Sequence, residues 1–424
     1  MAAPVPDAHP AQRRILIVLV AAQVLSGAGL AAGVTVGALL AQDMLGSTGL
    51  AGLPSALGTA GSALAAIAVG RISQARGRRR GLATGYSAGA VGSAGVIAAA
   101  VADNIVLLFA ALFIYGAGTA TTLQARYAGA DVAAPAHRAR AVSTVLVATT
   151  LGGVIGPNLT GLTGDLARAL GIPYLTGPFL LAGVAYGSAA AVLAVWLRPD
   201  PLLLARTMND EGGAAGTLRP RASAGASSPR EADPPGRRRS GVLTGALIMV
   251  VTQLVMVAIM TMTPVHMHDH GHSTAAAGLV IGIHIGAMYL PSPLTGRLVD
   301  RYGRLPITAA SGVILLAAGI IAAASDDSLI PITVALALLG LGWNFGLITG
   351  TAIITDAVPL ETRAETQGLV DVSIALAGAT GGMASGVVVA VAGFPLLALG
   401  GGILALAIVP AALRAGGPRC GAGP

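Results

Sequence analysis

The chain reads as an all-α membrane protein, twelve transmembrane helices in two pseudo-symmetric six-helix bundles, and three observations predict this. Of its 424 residues 54% are hydrophobic and only 10% are charged, which leaves too little polar surface for a water-soluble protein. Apolar runs near twenty residues recur along the whole length, each about long enough to cross a hydrocarbon core of ~30 Å at 1.5 Å per residue. The runs fall six on either side of a polar segment, and one loop sequence occurs in both halves.

A polar lead, residues 1–14, comes first; the hydrophobic run behind it is too long for a cleaved signal and lacks a clear cleavage site. The first bundle, 15–197, holds runs at roughly 15–40, 49–69, 82–101, 104–124, 142–164 and 175–197. Residues 198–240 are rich in Pro, Gly, Ala, Ser and Arg, with no apolar periodicity, and read as a flexible linker. The second bundle, 241–413, holds runs at roughly 241–264, 275–295, 307–324, 330–350, 367–392 and 395–413. The tail, 414–424, carries the one cysteine, Cys420. That excludes a disulfide framework and a thiolate metal cage.

The net charge of +7 is not the footprint of a nucleic-acid binder, because all 25 basic residues are arginine and their positions follow the membrane. Arg13, Arg14, the cluster from Arg71 to Arg80, Arg126, Arg138, Arg140, the linker arginines, Arg297, Arg301, Arg304, Arg363, Arg414 and Arg419 all fall on one side, and only Arg168 on the other. The positive-inside rule then places both termini and the linker in the cytoplasm, in the cytoplasmic (inner) membrane. Gly and other small residues recur every fourth position, as at Gly85 and Gly89 or Gly378, Gly382 and Gly386, which lets helices approach closely in lipid.

GRISQARGRR at 70–79 and GRLVDRYGRL at 296–305 align without a gap, each after the second span of its half. The glycines permit a tight turn, and the acid and arginines can pair across the halves as a conformational latch. These segments resemble the loop signature of the major facilitator superfamily. The resemblance implies that fold and a latch of Gly70, Gly77 and Arg78 in the first copy and Gly296, Asp300, Arg301, Gly303 and Arg304 in the second. Gln74 stands where the family usually has Asp, so the first latch is expected to be the weaker. LGGVIGPNLTG in the fifth span resembles the family's Gly/Pro motif at Gly152, Gly156, Pro157 and Gly161, a flexing point since proline removes a backbone donor. The arginine that many proton-coupled members carry in the fourth span is Leu112 here.

Met256–Met288 holds five of the seven histidines and five of the ten methionines. Met256 and Met260, and likewise His284 and Met288, stand four apart, so each pair projects from one face of a helix. Thioether sulfur favours Cu(I), and neutral imidazole binds copper among other metals. Met is more often a gap-filler, but an ionisable residue such as His284 inside an apolar helix marks a substrate or ion pathway. The MxxxM and HxxxM pairs resemble the signature of the CcoA-like copper importers, a branch of this superfamily. That resemblance implies copper import as Cu(I) through Met256, Met260, His284 and Met288. His266, Met267, His268, Asp269, His270 and His272 would form an outward capture loop. Other relatives on this branch are thought to carry organic substrates such as riboflavin.

Asp371, just inside the eleventh span, is either a helix-start acid favoured by the helix dipole or a coupling residue. Asp131, His137, Arg138 and Arg140, with Asp356, Glu361, Arg363 and Glu365, read as solvated or paired loop charges. No nucleophile–base set, HExxH, paired CxxC or Walker motif occurs, and there is no lysine. Enzymatic chemistry and ATP-driven transport are therefore excluded within this chain, and no cofactor is expected. The expectation is a monomeric secondary transporter in the lipid bilayer, with copper as its substrate, alternating access being its mechanism. The rival is drug export or nutrient uptake, against which aromatic residues at 3% offer few stacking platforms. A metal sensor signalling through the linker is a further alternative.

Overall fold

The structure is a computed structural model that describes residues 10–45, 53–217, 235–272, 274–325 and 328–410. The first bundle comprises α1 (Pro10–Leu45), α2 (Leu53–Arg76), α3 (Arg78–Val101), α4 (Ile105–Ala130), α5 (Arg138–Asn158), α6 (Thr160–Ala169) and α7 (Gly177–Trp196). After α8 (Pro201–Thr217), the second comprises α9 (Pro235–Asp269), α10 (Thr274–Tyr289), α11 (Ser292–Tyr302), α12 (Arg304–Ala323), α13 (Leu329–Ala357) and α14 (Arg363–Ala405).

These elements make twelve membrane spans. The fifth span breaks between α5 and α6 just after Pro157, and the eighth between α10 and α11 at Pro291, because proline cannot donate to the helical ladder. α14 carries the last two spans and bends at Gly393, where φ is 81°. Nine stretches among the described residues are long and apolar enough to cross a membrane, and the 48-residue Arg363–Pro410 is long enough to do so twice.

Each bundle has its own apolar core. The first gathers Leu19, Leu82, Val96, Leu108, Phe179 and Leu193, and the second Ile248, Val255, Leu315, Leu336, Leu347 and Ile374. In the first, Gln23 of α1 knits four helices: it donates to the Thr122 carbonyl at 3.1 Å and to Thr149 Oγ1 at 3.0 Å, and accepts from the Tyr86 hydroxyl at 2.6 Å. Of the small-residue stripes, Gly89 packs against Gly118 so closely that a Cβ would lie 2.8 Å from its Cα, whereas a Cβ on Gly386 would meet nothing within 4 Å. The first stripe is a close backbone crossing, whereas in the second Gly378 and Gly382 face side chains of α9 and Gly386 faces open space.

Within 198–240, α8 occupies the beginning and the first residues of α9 the end, while 218–234 lies outside the described residues. α8 is tied to both halves, since Arg206 donates to the Gln74 carbonyl at 2.9 Å and to the Leu360 carbonyl at 3.4 Å.

Candidate functional site

The two bundles meet at the arginine-rich end, where α2 crosses α14 and α5 crosses α11. A Cβ on Gly368 would lie 2.5 Å from the Ala66 carbonyl oxygen, and one on Gly70 2.8 Å from that of Ala364. Only hydrogen fits between these backbones. Gly296 plays the same part against α5, where a Cβ would meet Ser143 Oγ at 2.3 Å and the Ala139 carbonyl at 2.9 Å.

Both loop copies then tie into the opposite half. Asp300 accepts from the backbone N–H of Ala139 at 3.2 Å and of Arg140 at 3.0 Å, satisfying free donors at the start of α5. Gln74 stands in the equivalent place. Its Oε1 accepts from the Ala364 N–H at 2.8 Å at the start of α14, and its Nε2 donates to the carbonyls of Leu360, at 3.0 Å, and Glu361. The neutral amide therefore does for α14 what the carboxylate does for α5, and the missing Asp does not leave the first copy without its contact.

The arginines pair with acids at the ends of α4 and α13. Arg78, fully buried, donates from Nε to Asp131 at 2.8 Å and also to Gln367 of the second bundle, while Arg363 stands 3.9 Å from Asp131. In the second copy Arg304 lies 2.5 Å from Asp356, which also accepts from Arg138 of the first bundle, and Arg304 donates to the Pro135 carbonyl at 3.2 Å. Thus of the two expected alternatives, solvated or paired, Asp131, Arg138, Asp356 and Arg363 take the paired one and are parts of the closure. Gly77 and Gly303, both with φ of 90°, form the turns. Asp200, unremarked in the sequence, accepts from the N–H groups of Arg78 and Arg79 at 3.1 and 2.7 Å and so caps α3. Arg301 is exposed and lies over its neighbour Tyr302 at 5.4 Å, with no ion pair across the bundles among the described residues.

Deeper between the bundles sits a second ion pair. Arg126 of α4 is fully buried and donates from Nη2 to Asp371 of α14 at 2.7 Å; Tyr127 donates to the same oxygen at 3.2 Å, and Arg126 Nε to Thr351 Oγ1 of α13 at 3.1 Å. The other Asp371 oxygen is buried with no partner among the described residues. Asp371 is thus a buried member of an inter-bundle pair rather than a helix-start acid near the interface. Arg126, read as a loop arginine in the sequence, lies inside α4. The signal was present in its position within the apolar run that ends at Ala130.

Of the proposed metal ligands, Met256 and Met288 are buried in the second bundle's core and Met260 is half-buried against it. His284 is fully buried, with Nδ1 2.8 Å from the Leu336 carbonyl of α13. A carbonyl only accepts, so Nδ1 carries the proton and Nε2 a bare lone pair, which has no partner among the described residues. α10 and α13 touch backbone to backbone here, since a Cβ on Gly340 would lie 2.5 Å from the His284 carbonyl. His284 is therefore an interhelical tie with one unused acceptor.

Of the expected capture loop, His266, Met267 and His268 lie in the last turn of α9, and only His270 and His272 fall in the turn beyond it. α9 continues to Asp269 and ends in a Schellman motif at Gly271 (φ 77°), with His272 N–H donating to the Met267 carbonyl at 2.9 Å and Gly271 N–H to that of His268 at 3.0 Å. His266 and Met267 are buried, and His266 stacks on Phe394 at 4.2 Å between centroids with Nε2 3.1 Å from the Ser325 carbonyl. His268 and His270 are exposed and His272 half-buried. Among the described residues no group of three or more His, Cys, Asp or Glu is placed to hold a metal ion.

With the fold and this geometry in place, comparison with known proteins identifies the family. The sequence model of the Major Facilitator Superfamily matches residues 19–283 and 245–419. The chain belongs to this superfamily. It is 54% identical over 402 residues to the uncharacterized MFS-type transporter YdeG of Bacillus subtilis, covering 94% of this chain and 91% of that protein. It is 31% identical over 371 residues to the riboflavin transporter RfnT of Brucella anthropi, covering 85% of each. Among solved structures, the human organic anion transporter MFSD10 matches with a TM-score of 0.73 over 95% of this chain and 100% of that one at 17% identity, and the proton:xylose symporter XylE with 0.71 over 95% and 94% at 15%. These two share the fold. None of these relatives points to copper.

As a superfamily member the chain has its bundles closed together at the arginine-rich end, and the aromatic side chains it does possess are gathered rather than scattered. Tyr86, Tyr115, Phe179 and Tyr186 cluster inside the first bundle, with centroids 5.5 to 5.8 Å apart. Tyr289 and Trp343 meet edge to face at 5.6 Å in the second. The four in the first bundle are buried in its core, and Trp343 is buried too, so of these six only Tyr289 is partly exposed.

Proposed function

We propose that the chain is a secondary transporter that carries a small organic molecule across the cytoplasmic membrane by alternating access. One observation carries this reading: the Arg126–Asp371 pair joins the two bundles in the interior, within electrostatic reach of the half-buried Tyr289. The arginine-rich end is taken as cytoplasmic by the positive-inside rule, which makes this the outward-facing state. Asp371 is the coupling residue in this account. Neutralising it would release Arg126 and Tyr127 and let the bundles part. The kinship with RfnT supports an organic substrate and makes riboflavin the first compound to try.

Copper is kept as a second reading on one specific observation, the unpartnered Nε2 of His284 with Met288 one turn away. The closed α10–α13 contact and the packing of Met256, Met267 and His266 weigh against it. Uptake into cells expressing the chain, measured for riboflavin, other organic nutrients and copper together, separates the two. Saturable accumulation of an organic compound supports the first reading, while accumulation of copper alone that disappears in Met256→Leu and His284→Ala overturns it.

A further inference from the structure

We infer that Tyr289, Trp343 and Gln253 form the binding wall for a planar heteroaromatic ring bearing a carbonyl or ring-nitrogen acceptor on its edge. The inference rests on the reading above that the substrate is organic and binds between the bundles.

Three helices bring the wall together. Trp343 of α13 donates its indole N–H to Gln253 Oε1 of α9 at 2.8 Å. Indole nitrogen can only donate, so this bond fixes the amide: Oε1 accepts from Trp343, and the Nε2 end is a donor with no hydrogen bond among the described residues. Gln253 Nε2 sits against α14, where a Cβ on Gly378 would lie 3.3 Å from it. Tyr289, the last residue of α10, meets Trp343 at 5.6 Å with the rings at 74°. In an edge-to-face pair one ring keeps both of its faces clear of the other, and a second planar system can lie on it.

The wall belongs to the space between the bundles. Arg126 of the first bundle is near enough to act electrostatically on the Tyr289 hydroxyl, and the same guanidinium pairs with Asp371 and lies over Tyr127 at 4.3 Å. Tyr289 and Gln253 are half-buried while Trp343 is 4% exposed behind them. Trp343 thus holds the other two in place, and they supply the contacts, a stacking face from Tyr289 and an amide donor from Gln253. α10 ends at Tyr289 because the proline that follows at 291 gives no donor. Asn344, beside Trp343, fastens that end by donating to the Met288 carbonyl at 2.6 Å and to Ser292 Oγ at 2.7 Å. The Tyr289 position is accordingly set by hydrogen bonds on both sides of the break. Such rigidity suits selection by ring shape.

The test uses the purified full chain. The sequence has two tryptophans, and Trp196 is 55% exposed at the end of α7, so Trp196→Phe leaves Trp343 as sole reporter. Riboflavin, inosine and, as a non-aromatic control, xylose are titrated while its fluorescence is followed. Saturable quenching by at least one of the two ring compounds, absent with xylose, is expected. Stacking on an aromatic side chain is worth enough that Tyr289→Leu should weaken binding about 5- to 150-fold, while Tyr289→Phe stays within about threefold. Gln253→Ala, at a half-buried position, should weaken it about tenfold and covers the case in which Tyr289→Leu does not fold. No quenching by either ring compound, or wild-type affinity in both Tyr289→Leu and Gln253→Ala, overturns the inference. Quenching without uptake in cells would leave the wall standing and remove the transport reading instead, so the two failures are distinguishable.

Discussion

Replacing Asp371 by Asn should open the arginine-rich end. The substitution keeps the shape and removes the charge that Arg126 faces at 2.7 Å. A buried charge deprived of its partner costs about 3–5 kcal/mol. Arg126 keeps three acceptors, Thr351 Oγ1, Tyr127 Oη and the Leu123 carbonyl, which places the loss toward the lower bound, about 3 kcal/mol, or about two decades in the equilibrium between closed and open. The assay is alkylation of Ala364→Cys in a Cys420→Ser background, since Cys420 is the one native cysteine and Ala364 is fully buried in the closed end. Labelling should be slow with Asp371 present and faster in the Asp371→Asn variant by about one to two decades. Replacing both Arg126 and Asp371 by Leu should restore slow labelling in part, because no unpaired charge remains. Unchanged labelling in Asp371→Asn would refute the claim that this pair holds the bundles together.

Gly368→Val should also raise Ala364→Cys labelling, because its Cβ would lie 2.5 Å from the Ala66 carbonyl and the two helices must separate by close to the difference from van der Waals contact. Asp300→Ala removes two helix-capping bonds across the bundles and should destabilise the closed form by about 1–3 kcal/mol, read as a lower melting temperature in detergent; Gln74→Asp keeps an acceptor for Ala364 but loses the donations to the Leu360 and Glu361 carbonyls and should lower it as well. Met256→Leu should transport organic substrate normally, the two side chains being near equal in volume; loss of that transport at normal abundance would argue for a ligand role. His284→Leu should lower the melting temperature by removing the tie to Leu336, and retention of full stability would show that bond to be idle.

Much of the fold was legible because it is written in repeated, local terms: twenty-residue apolar runs, arginines on one side, and GRISQARGRR echoed by GRLVDRYGRL. The latch was legible too, though its chemistry was only half read. A helix N-terminus asks for an acceptor, and the amide of Gln74 supplies one as well as Asp does. What the sequence hid depended on contacts between distant helices. Arg126 reads as a loop arginine until α4 is seen to bury it against Asp371, 245 positions away. His266 and Met267 look like a capture loop until the Schellman end at Gly271 shows that they lie in the last turn of α9. Seven tyrosines, five phenylalanines and two tryptophans look sparse when counted along the chain, yet Tyr289 and Trp343 meet from different helices.

The most direct test of the organic-transporter reading is counterflow in liposomes containing the purified chain. Liposomes loaded with unlabelled riboflavin, or with another ring compound that quenches Trp343, should draw in the labelled compound transiently above equilibrium, and Tyr289→Leu should abolish the overshoot. Absence of any organic exchange, with copper instead entering in a manner that requires His284 and Met256, would contradict the account.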